Sequence, residues 1–403
     1  MFLLFLKSIH IFLSIYFEAF SLRAIKTNPL SLNRLIFLLV LFPLLLCLQI
    51  IHFFGFFIDD ILFRKYRAHP CNHLLFIIGI PRSGTTYIHR SLAQSKETTT
   101  LSTWEAVLAP SIFEKKCLCA LASLDNYIGQ PFKKTINRLI QFLSGDFQNV
   151  HSVSIDAAEE DYLTLLPIGA CAILIFAFPH SPALKSLLNF ETMNAREKTI
   201  ILKFYHKNIQ RHLYHQGADL LFLSKNAAFC TWLPDLKAHF PSAKFILSVR
   251  KPETAIPSQL KALNLARKLF GTDPKGDLTQ SIILDAFKKN YRALVNFLGD
   301  TPEVNRQLIH QEALRLDSES ILQQALKALA LNISLAADKT KNNECMQSSP
   351  HVKITQLDKD PIDPSLQKSY EELKMIAPLV PMHSQLGSEM KAKQQYNYRE
   401  TRP

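Results

Sequence analysis

Paired cysteines are missing from this chain of 403 residues, as are the motifs of the common zinc and nucleic-acid sites. Its seven cysteines are scattered and odd in number, and no CxxC pairs or histidine ligands accompany the neighbouring Cys117 and Cys119. This argues against a disulfide framework or a structural zinc site and fits a reducing compartment. The net charge of +12 favours an anionic partner. Without a zinc finger, a basic heptad helix or an aromatic RNA-binding strand, no nucleic acid is expected, which leaves an anionic membrane face or a phosphorylated ligand.

A second absence concerns a loop that has the pattern of a phosphate site. Residues 76–93, FIIGIPRSGTTYIHRSLA, run from an apolar strand-like segment through a short loop into a helical pattern, without the lysine of the nucleotide-hydrolase motif G-x-x-x-x-G-K-[ST]. The backbone N–H groups of Ser83, Gly84, Thr85 and Thr86 would be unpaired donors at the start of that helix. Such a helix terminus binds phosphate or sulfate.

The side chains of the same loop strengthen the prediction of an anion site. Gly84 allows close approach of the backbone, and the hydroxyls of Ser83, Thr85 and Thr86 add donors. Arg82 stands where a cation can reach the same anion. A bare strand-to-helix turn needs neither the two threonines nor the arginine.

Long apolar stretches occupy the start of the chain. Residues 35–57 are 23 residues without a formal charge, long enough as a helix to cross a hydrocarbon core of about 30 Å. Residues 1–20 are also apolar but carry charges, so they form either a first span or a helix lying in the membrane interface. We therefore predict a membrane-anchoring region over residues 1–60.

The rest of the chain has a globular pattern. Short apolar runs (LLFIIGI, LLFLSK and AKFILSV) alternate with longer helical stretches, which predicts an α/β fold with a P-loop-like parallel β-sheet flanked by helices. The apolar run over residues 162–179 is broken by proline and glycine and is interpreted as buried core. Residues 61–336 are predicted to form this domain, followed by a linker and C-terminal tail over residues 337–403.

A second candidate anchor lies in residues 243–263, AKFILSVRKPETAIPSQLKAL. Arg250 comes directly after a predicted strand, and Ser258 lies early in the following helix. Ligands of open α/β sheets bind outside the carboxyl ends of the strands. Both anchors should therefore face one crevice.

Together these segments resemble the sulfotransferases that use 3′-phosphoadenosine 5′-phosphosulfate (PAPS) as donor, of bacterial type and related to the tyrosylprotein enzymes. The resemblance implies that residues 82–86 grip the 5′-phosphosulfate and that Arg250 and Ser258 hold the 3′-phosphate. It implies that Tyr87 packs on the adenine. It also accounts for the missing lysine, because no triphosphate with bound metal has to be handled. No metal is expected.

Sulfuryl transfer requires a base for the acceptor, and Glu105 in LSTWEAVLAPS resembles the catalytic glutamate of the tyrosylprotein and Golgi heparan-type enzymes. Because Glu105 follows Trp104 among apolar residues, its pKa is expected to be raised, which would suit a base near neutral pH. The cytosolic family members use a histidine instead. His89, His151 and His180 are the alternatives here.

The reaction also requires positive charge close to the sulfuryl group that is transferred. Lys225 ends another predicted strand and resembles the lysine of the family's K-[ND]-P-F segment, although Ala227 replaces the proline. Lys225 and Arg82 are therefore expected to assist catalysis. The acidic run of Glu159, Glu160 and Asp161 either orients the lysine or the acceptor or caps a helix.

The sequence thus predicts a membrane-associated PAPS-dependent sulfotransferase with an unknown lipid, glycan or small-molecule acceptor. A P-loop kinase or nucleotide hydrolase, and a membrane protein that binds a ligand without turnover, are the alternatives. The low number of disulfide candidates favours the cytoplasmic face of a bacterial inner membrane, with a Golgi-type lumenal domain as the second possibility.

Overall fold

The computed structural model describes residues 1–131, 134, 158, 160–217, 219–335 and 363–376. In these residues five parallel strands form one sheet in the order β2-β3-β1-β4-β5. The strands are β1 (Leu74–Gly79), β2 (Thr98–Thr99), β3 (Leu221–Asn226), β4 (Lys244–Val249) and β5 (Arg306–His310). The predicted α/β class and the three strands predicted by apolar runs are confirmed.

Helices precede the sheet and cover both of its faces. Those before β3 are α1 (Phe2–Glu18), α2 (Leu22–Thr27), α3 (Leu32–Ile36), α4 (Phe42–Leu62), α5 (Thr85–Leu92), α6 (Thr103–Leu108), α7 (Ile112–Tyr127), α8 (Pro182–Leu187) and α9 (Ala195–Gln216). Those after it are α10 (Leu233–His239), α11 (Pro252–Phe270), α12 (Asp277–Asp300), α13 (Gln311–Leu316), α14 (Ser318–Ala328) and α15 (Pro364–Ile376).

The central strand β1 shows why the apolar run folds as it does. All six of its residues are buried, because successive side chains of a strand point to opposite faces and both faces are covered. Leu75 and Ile77 pack in a cluster with α5 and α14, whereas Phe76 and Ile78 pack in the larger core with α9 and α12. Every position in such a strand is best filled by an apolar residue.

The segment predicted to cross a membrane is helical, and the helix is longer than expected. It runs over Leu32–Leu62, comprising α3, a π-helical turn at Phe37–Leu41 and α4, and we call it the long helix. The π turn ends two residues before Pro43, whose ring lacks an N–H and would clash with the carbonyl one turn earlier in a regular helix. Among the described residues, this is the one helix long and apolar enough to cross a membrane.

Two further segments bear on the predicted division of the chain. Residues 162–179 form two short 3-10 helices, Asp161–Ile168 and Ala172–Phe176, whose side chains are mostly buried, as predicted for core. Part of the predicted tail, α15, packs against α12 with Leu366 and Leu373 buried. The division into regions 1–60, 61–336 and 337–403 stays a prediction.

Candidate functional site

The loop between β1 and α5 has an unusual backbone. Arg82 and Gly84 both have a positive φ, 70° and 94° respectively. Residues other than glycine rarely adopt this backbone conformation. The N–H of Ser83 donates to the carbonyl of Ile80 at 3.1 Å, so the prediction that it is an unpaired donor is wrong: it closes the turn. The N–H groups of Thr85 and Thr86 lie in the first turn of α5, where no earlier helical carbonyl can accept them.

The loop is fixed to the neighbouring strand β4. Ile80 N–H donates to the carbonyl of Ser248 at 2.9 Å, and the Ser248 hydroxyl donates to the carbonyl of Ser83 at 2.7 Å. A Cβ at Gly79 would lie 2.2 Å from the Ser248 carbonyl oxygen, so only glycine allows this approach. The strand and the loop therefore form one rigid support.

The Ser83 side chain is buried within this support. Its Oγ has no hydrogen-bond partner among the described residues. A buried hydroxyl in this state costs free energy. A ligand oxygen held in the loop would give this hydroxyl a partner, so its predicted role in anion binding stays a prediction.

The two predicted anchors contact each other directly. Arg82 Nε donates to Ser258 Oγ at 3.1 Å, and Arg250 Nη1 donates to the carbonyl of Arg82 at 3.1 Å. Arg250 Nε also donates to Thr254 Oγ1 at 3.0 Å, and its carbonyl accepts the Tyr291 hydroxyl. The loop after β1 and the turn after β4 thus form one cleft edge, as expected where parallel strands end.

Positive charge is concentrated at this edge. Burial lowers the pKa of Arg250, and the charges of Arg315 and Arg82 lower it further. Arg315, on α13 at the end of β5, was not singled out by the sequence, because its segment contains no motif. The carboxylate of Glu312 opposes this lowering, but three guanidinium groups share this edge, and arginine is well suited to hold phosphate or sulfate.

Tyr87 lies on α5 beside this region. Its hydroxyl donates to Ser318 Oγ at 2.7 Å, and its ring packs against the smaller apolar cluster. The side chain therefore connects α5 to the start of α14. Its predicted contact with an adenine stays a prediction.

Lys225 lies near the end of β3. On the adjacent parallel strand β1, the residue paired with it is Ile77. Its Nζ is 2.7 Å from Glu160 Oε1, and the Glu160 side chain is 22% exposed. The acidic run thus provides a carboxylate that holds the lysine, one of the two roles predicted for it. Glu159 lies outside the described residues.

Asp161, next to Glu160, has a different role. It accepts hydrogen bonds from Tyr205, from Ser224 at 3.1 Å and from Asn226. Burial raises its pKa to about 6, although these three donors oppose the rise. The buried carboxyl fixes the start of the 3-10 helix to β3 and so fixes the position of Glu160.

Glu105 lies in the first turn of α6 and is buried. Its Oε2 accepts from the backbone N–H and the hydroxyl of Ser102, both at 2.9 Å. Its Oε1 is 3.1 Å from Lys115 Nζ and 3.6 Å from His212 Nδ1. Burial alone would raise the pKa of Glu105, but the nearby imidazole of His212 and the charge of Lys115 outweigh it. The pKa is well below the usual value, so the expected raised pKa is wrong.

The three alternative histidines lie in different places. His89 is fully buried on α5 and bonds to Thr100 Oγ1 at 2.7 Å; burial and the charge of Lys225 lower its pKa to about 3. His180 contacts Thr27 Oγ1 at 2.6 Å, in the N-terminal part of the molecule. His151 lies outside the described residues. A neutral His89 near Lys225 could accept a proton only weakly.

Comparison with known proteins gives consistent results. A family model described as "Sulfotransferase family" matches residues 75–334. The fold is similar to that of sulfotransferase STF9 from Mycobacterium avium, with a TM-score of 0.57 at 14% identity over 80% of this chain and 81% of the other. It is also similar to sulfotransferase STF1 from Mycobacterium tuberculosis H37Rv, with a TM-score of 0.55 at 15% identity over 77% and 78%. No curated protein sequence matches the chain.

Proposed function

Because the chain belongs to the sulfotransferase family, we propose that it transfers a sulfuryl group from PAPS to a hydroxyl or amine acceptor. The observation that carries the choice of donor is the direct contact between the two anchors, Arg82 with Ser258 and Arg250 with Arg82. PAPS has anionic groups at both its 5′ and 3′ positions. A cleft with two adjoining cationic anchors fits such a molecule, whereas a single phosphate would need only one.

The residues fit the two ends of the donor as follows. The first-turn N–H groups of α5, the unpartnered Ser83 hydroxyl and the Thr85 and Thr86 hydroxyls would bind the 5′-phosphosulfate. Arg250 and Ser258 would bind the 3′-phosphate. No metal is required by this arrangement, because the cations of the protein neutralise the phosphates.

In the proposed reaction, the acceptor oxygen or nitrogen attacks sulfur in line with the bridging oxygen. The bond from sulfur to that oxygen breaks, and adenosine 3′,5′-bisphosphate leaves with the electron pair. Lys225 and Arg82 would stabilise the charge that develops on the transferring group and the leaving oxygen. The acceptor proton would pass to a carboxylate.

Two carboxylates compete for the role of base. Glu105, the residue proposed from the sequence, must release Lys115 before it can accept a proton, because Lys115 holds its Oε1 and Ser102 its Oε2. Glu160 is partly exposed and already lies beside Lys225. We keep Glu105 as the proposed base and Glu160 as the alternative, and the Gln variants described in the Discussion distinguish them.

For the acceptor and the location we propose a lipid, glycan or small molecule reached from the cytoplasmic face of a bacterial inner membrane. PAPS is a cytosolic metabolite, and the apolar N-terminal helices lie on the same domain as the cleft. A Golgi-type lumenal location is the alternative.

Ligand-dependent melting tests the donor. Adenosine 3′,5′-bisphosphate without magnesium should raise the melting temperature, since a ligand that binds only the native state stabilises it. Stabilisation by ATP only with magnesium would instead indicate a kinase or nucleotide hydrolase. Stabilisation by neither would indicate a protein without donor binding. Transfer of label from [35S]PAPS to a component of the host membranes would then identify the acceptor.

A further inference from the structure

The long helix and α1 form an antiparallel pair, which we call the N-terminal hairpin. We propose that this hairpin inserts into one leaflet of a lipid bilayer. The long helix then lies parallel to the membrane plane and does not cross the bilayer. The inference concerns how the protein meets the membrane and does not depend on the proposed function.

Both ends of the long helix are bound to the same globular domain. Near its start Arg34 is buried and donates from Nη1 to the carbonyls of Ala177 at 2.8 Å and Phe270 at 3.3 Å. Near its end Asp59 is buried and pairs with Arg211 Nε at 3.0 Å. At about 1.5 Å per residue these two attachments are about 38 Å apart, more than the hydrocarbon thickness of about 30 Å. A crossing helix would draw the domain into the hydrocarbon.

The middle of the helix is also attached. His52 Nδ1 is 2.6 Å from Glu114 Oε1 on α7, and Asp59 accepts the backbone N–H groups of Ile112 and Phe113 at 2.9 Å each. A Cβ at Gly55 would lie 2.4 Å from Ser111 Oγ, so the helix and the start of α7 are in close contact. The inner face of the helix therefore carries its polar residues together with buried apolar ones such as Phe53 and Phe56.

The outer face has the opposite character. It carries exposed apolar side chains along its whole length, each 44–61% exposed: Ile36, Val40, Leu44, Ile51, Phe54 and Ile61. A helix at the surface of a water-soluble protein has its polar residues outside and its apolar residues inside. The long helix instead has apolar residues on its outer face as well, which fits a surface covered by hydrocarbon.

The first helix adds to this surface. Phe5 contacts Phe53, whereas Tyr16 further along α1 stacks on Phe42, so the two helices run antiparallel. The outer side of α1 exposes Phe2 and Phe17 by 71% and 67%. The two adjacent helices thus both carry exposed large apolar side chains, and an exposed apolar surface marks a site of membrane or protein contact.

Cationic side chains at both ends of the hairpin identify the partner. Arg23 and Lys26 are exposed in the segment that joins its two helices, and Arg64 and Lys65 are exposed directly after the long helix. They fit the anionic headgroups that flank the hydrocarbon of a bilayer. A second copy of the chain would place cations against cations in either relative orientation. The charge pattern therefore favours a lipid surface over a dimer.

Depth measurements on the full-length protein test the orientation. Cys47 is exposed on the long helix, and replacing Cys117, Cys119 and Cys345 by serine would leave it the accessible thiol for a nitroxide label. Further labels at Val40→Cys and Ile61→Cys, with Cys47→Ser, sample the two ends. In vesicles of phosphatidylcholine and phosphatidylglycerol, all three labels should lie at one shallow depth, about 5–10 Å below the headgroups. A label at Cys47 near the bilayer centre, with the end labels shallow, would overturn the proposal.

A matched pair of variants tests the contribution of the outer face. Phe57 lies on this face and is 55% exposed. Val304, which lies just before β5 and outside the hairpin, is 56% exposed. Phe57→Glu should weaken vesicle partitioning by about tenfold or more, whereas Val304→Glu should leave it nearly unchanged. Equal partitioning of both variants, or a concentration-dependent dimer without vesicle binding, would contradict the proposal. Melting with adenosine 3′,5′-bisphosphate should be the same in both, which separates this result from the donor hypothesis.

Discussion

Arg250 provides the sharpest test of the cleft. Its guanidinium makes two intramolecular hydrogen bonds, from Nη1 to the carbonyl of Arg82 and from Nε to Thr254 Oγ1. An arginine has five N–H donors, so donors remain for a phosphate. Hydrogen bonds to a charged group contribute about 1.5–3 kcal/mol each. Two such bonds from Arg250 to the phosphate would contribute about 3 kcal/mol to binding. This is the low end of the range, taken because Arg250 is only half-buried.

Arg250→Ala should therefore weaken binding of adenosine 3′,5′-bisphosphate by roughly a hundredfold, measured by isothermal titration calorimetry without magnesium. Thr254→Ala keeps the charge and removes only the hydrogen bond that orients it, so a loss of about tenfold or less is expected. Arg292→Ala is the matched control, because it removes the same charge from an exposed position on α12. It should have almost no effect.

Two results would contradict this role of Arg250. If Arg250→Ala binds the bisphosphate as tightly as the unaltered protein, the turn after β4 does not hold the 3′-phosphate. If Arg292→Ala weakens binding as much as Arg250→Ala, the effect is one of net charge and not of the cleft. Circular dichroism and melting of each variant show whether the fold is retained.

Further predictions concern single groups of the site. Ser83→Ala should lower affinity for adenosine 3′,5′-bisphosphate about tenfold by calorimetry without lowering the melting temperature of the free protein, since the Oγ it removes is buried without a partner; a lower melting temperature would contradict this. Glu105→Gln should cost about 3 kcal/mol of unfolding free energy in urea, because it leaves the Lys115 charge buried. If Glu105 is the base, Glu105→Gln also lowers kcat and leaves the Kd for the bisphosphate unchanged. If Glu105→Gln has a normal kcat and Glu160→Gln has a reduced one, Glu160 is the base. Burial lowers the pKa of His89 in the folded protein to about 3. As the pH falls below about 6.5, His89 therefore becomes protonated in the unfolded chain but not in the folded one, and the free energy of unfolding decreases. In urea titrations, His89→Gln should make that slope shallower by about 1.4 kcal/mol per pH unit, and an unchanged slope would show that His89 does not contribute.

The parts of the site that lie close together in the sequence were predictable. The loop after β1, and Arg250 with Ser258 after β4, follow from strand, turn and helix patterns that are local. Parallel pairing then brings the carboxyl ends of β1 and β4 together, since the two strands are adjacent in the sheet. The contact between Arg82 and Ser258 needs the three-dimensional structure, because no local pattern sets the side-chain distance.

The properties that depend on distant residues were not predictable. The raised pKa expected for Glu105 assumed an apolar surrounding, but Lys115 on α7 and His212 on α9 supply the opposite electrostatics. Arg315 joins the cationic edge only because β5 pairs with β4. The hydropathy of the long helix indicated its apolar character but gave only residues 35–57 of its full span. It did not indicate that Arg34, His52 and Asp59 bind the domain along one face.

The central claim is that one cleft binds both ends of a single adenosine compound. A crystal structure of the protein with adenosine 3′,5′-bisphosphate tests it most directly. We expect the 5′-phosphate at the N–H groups of Thr85 and Thr86 and the 3′-phosphate between Arg250 and Ser258. A well-bound ligand with its phosphates anywhere else would contradict the account.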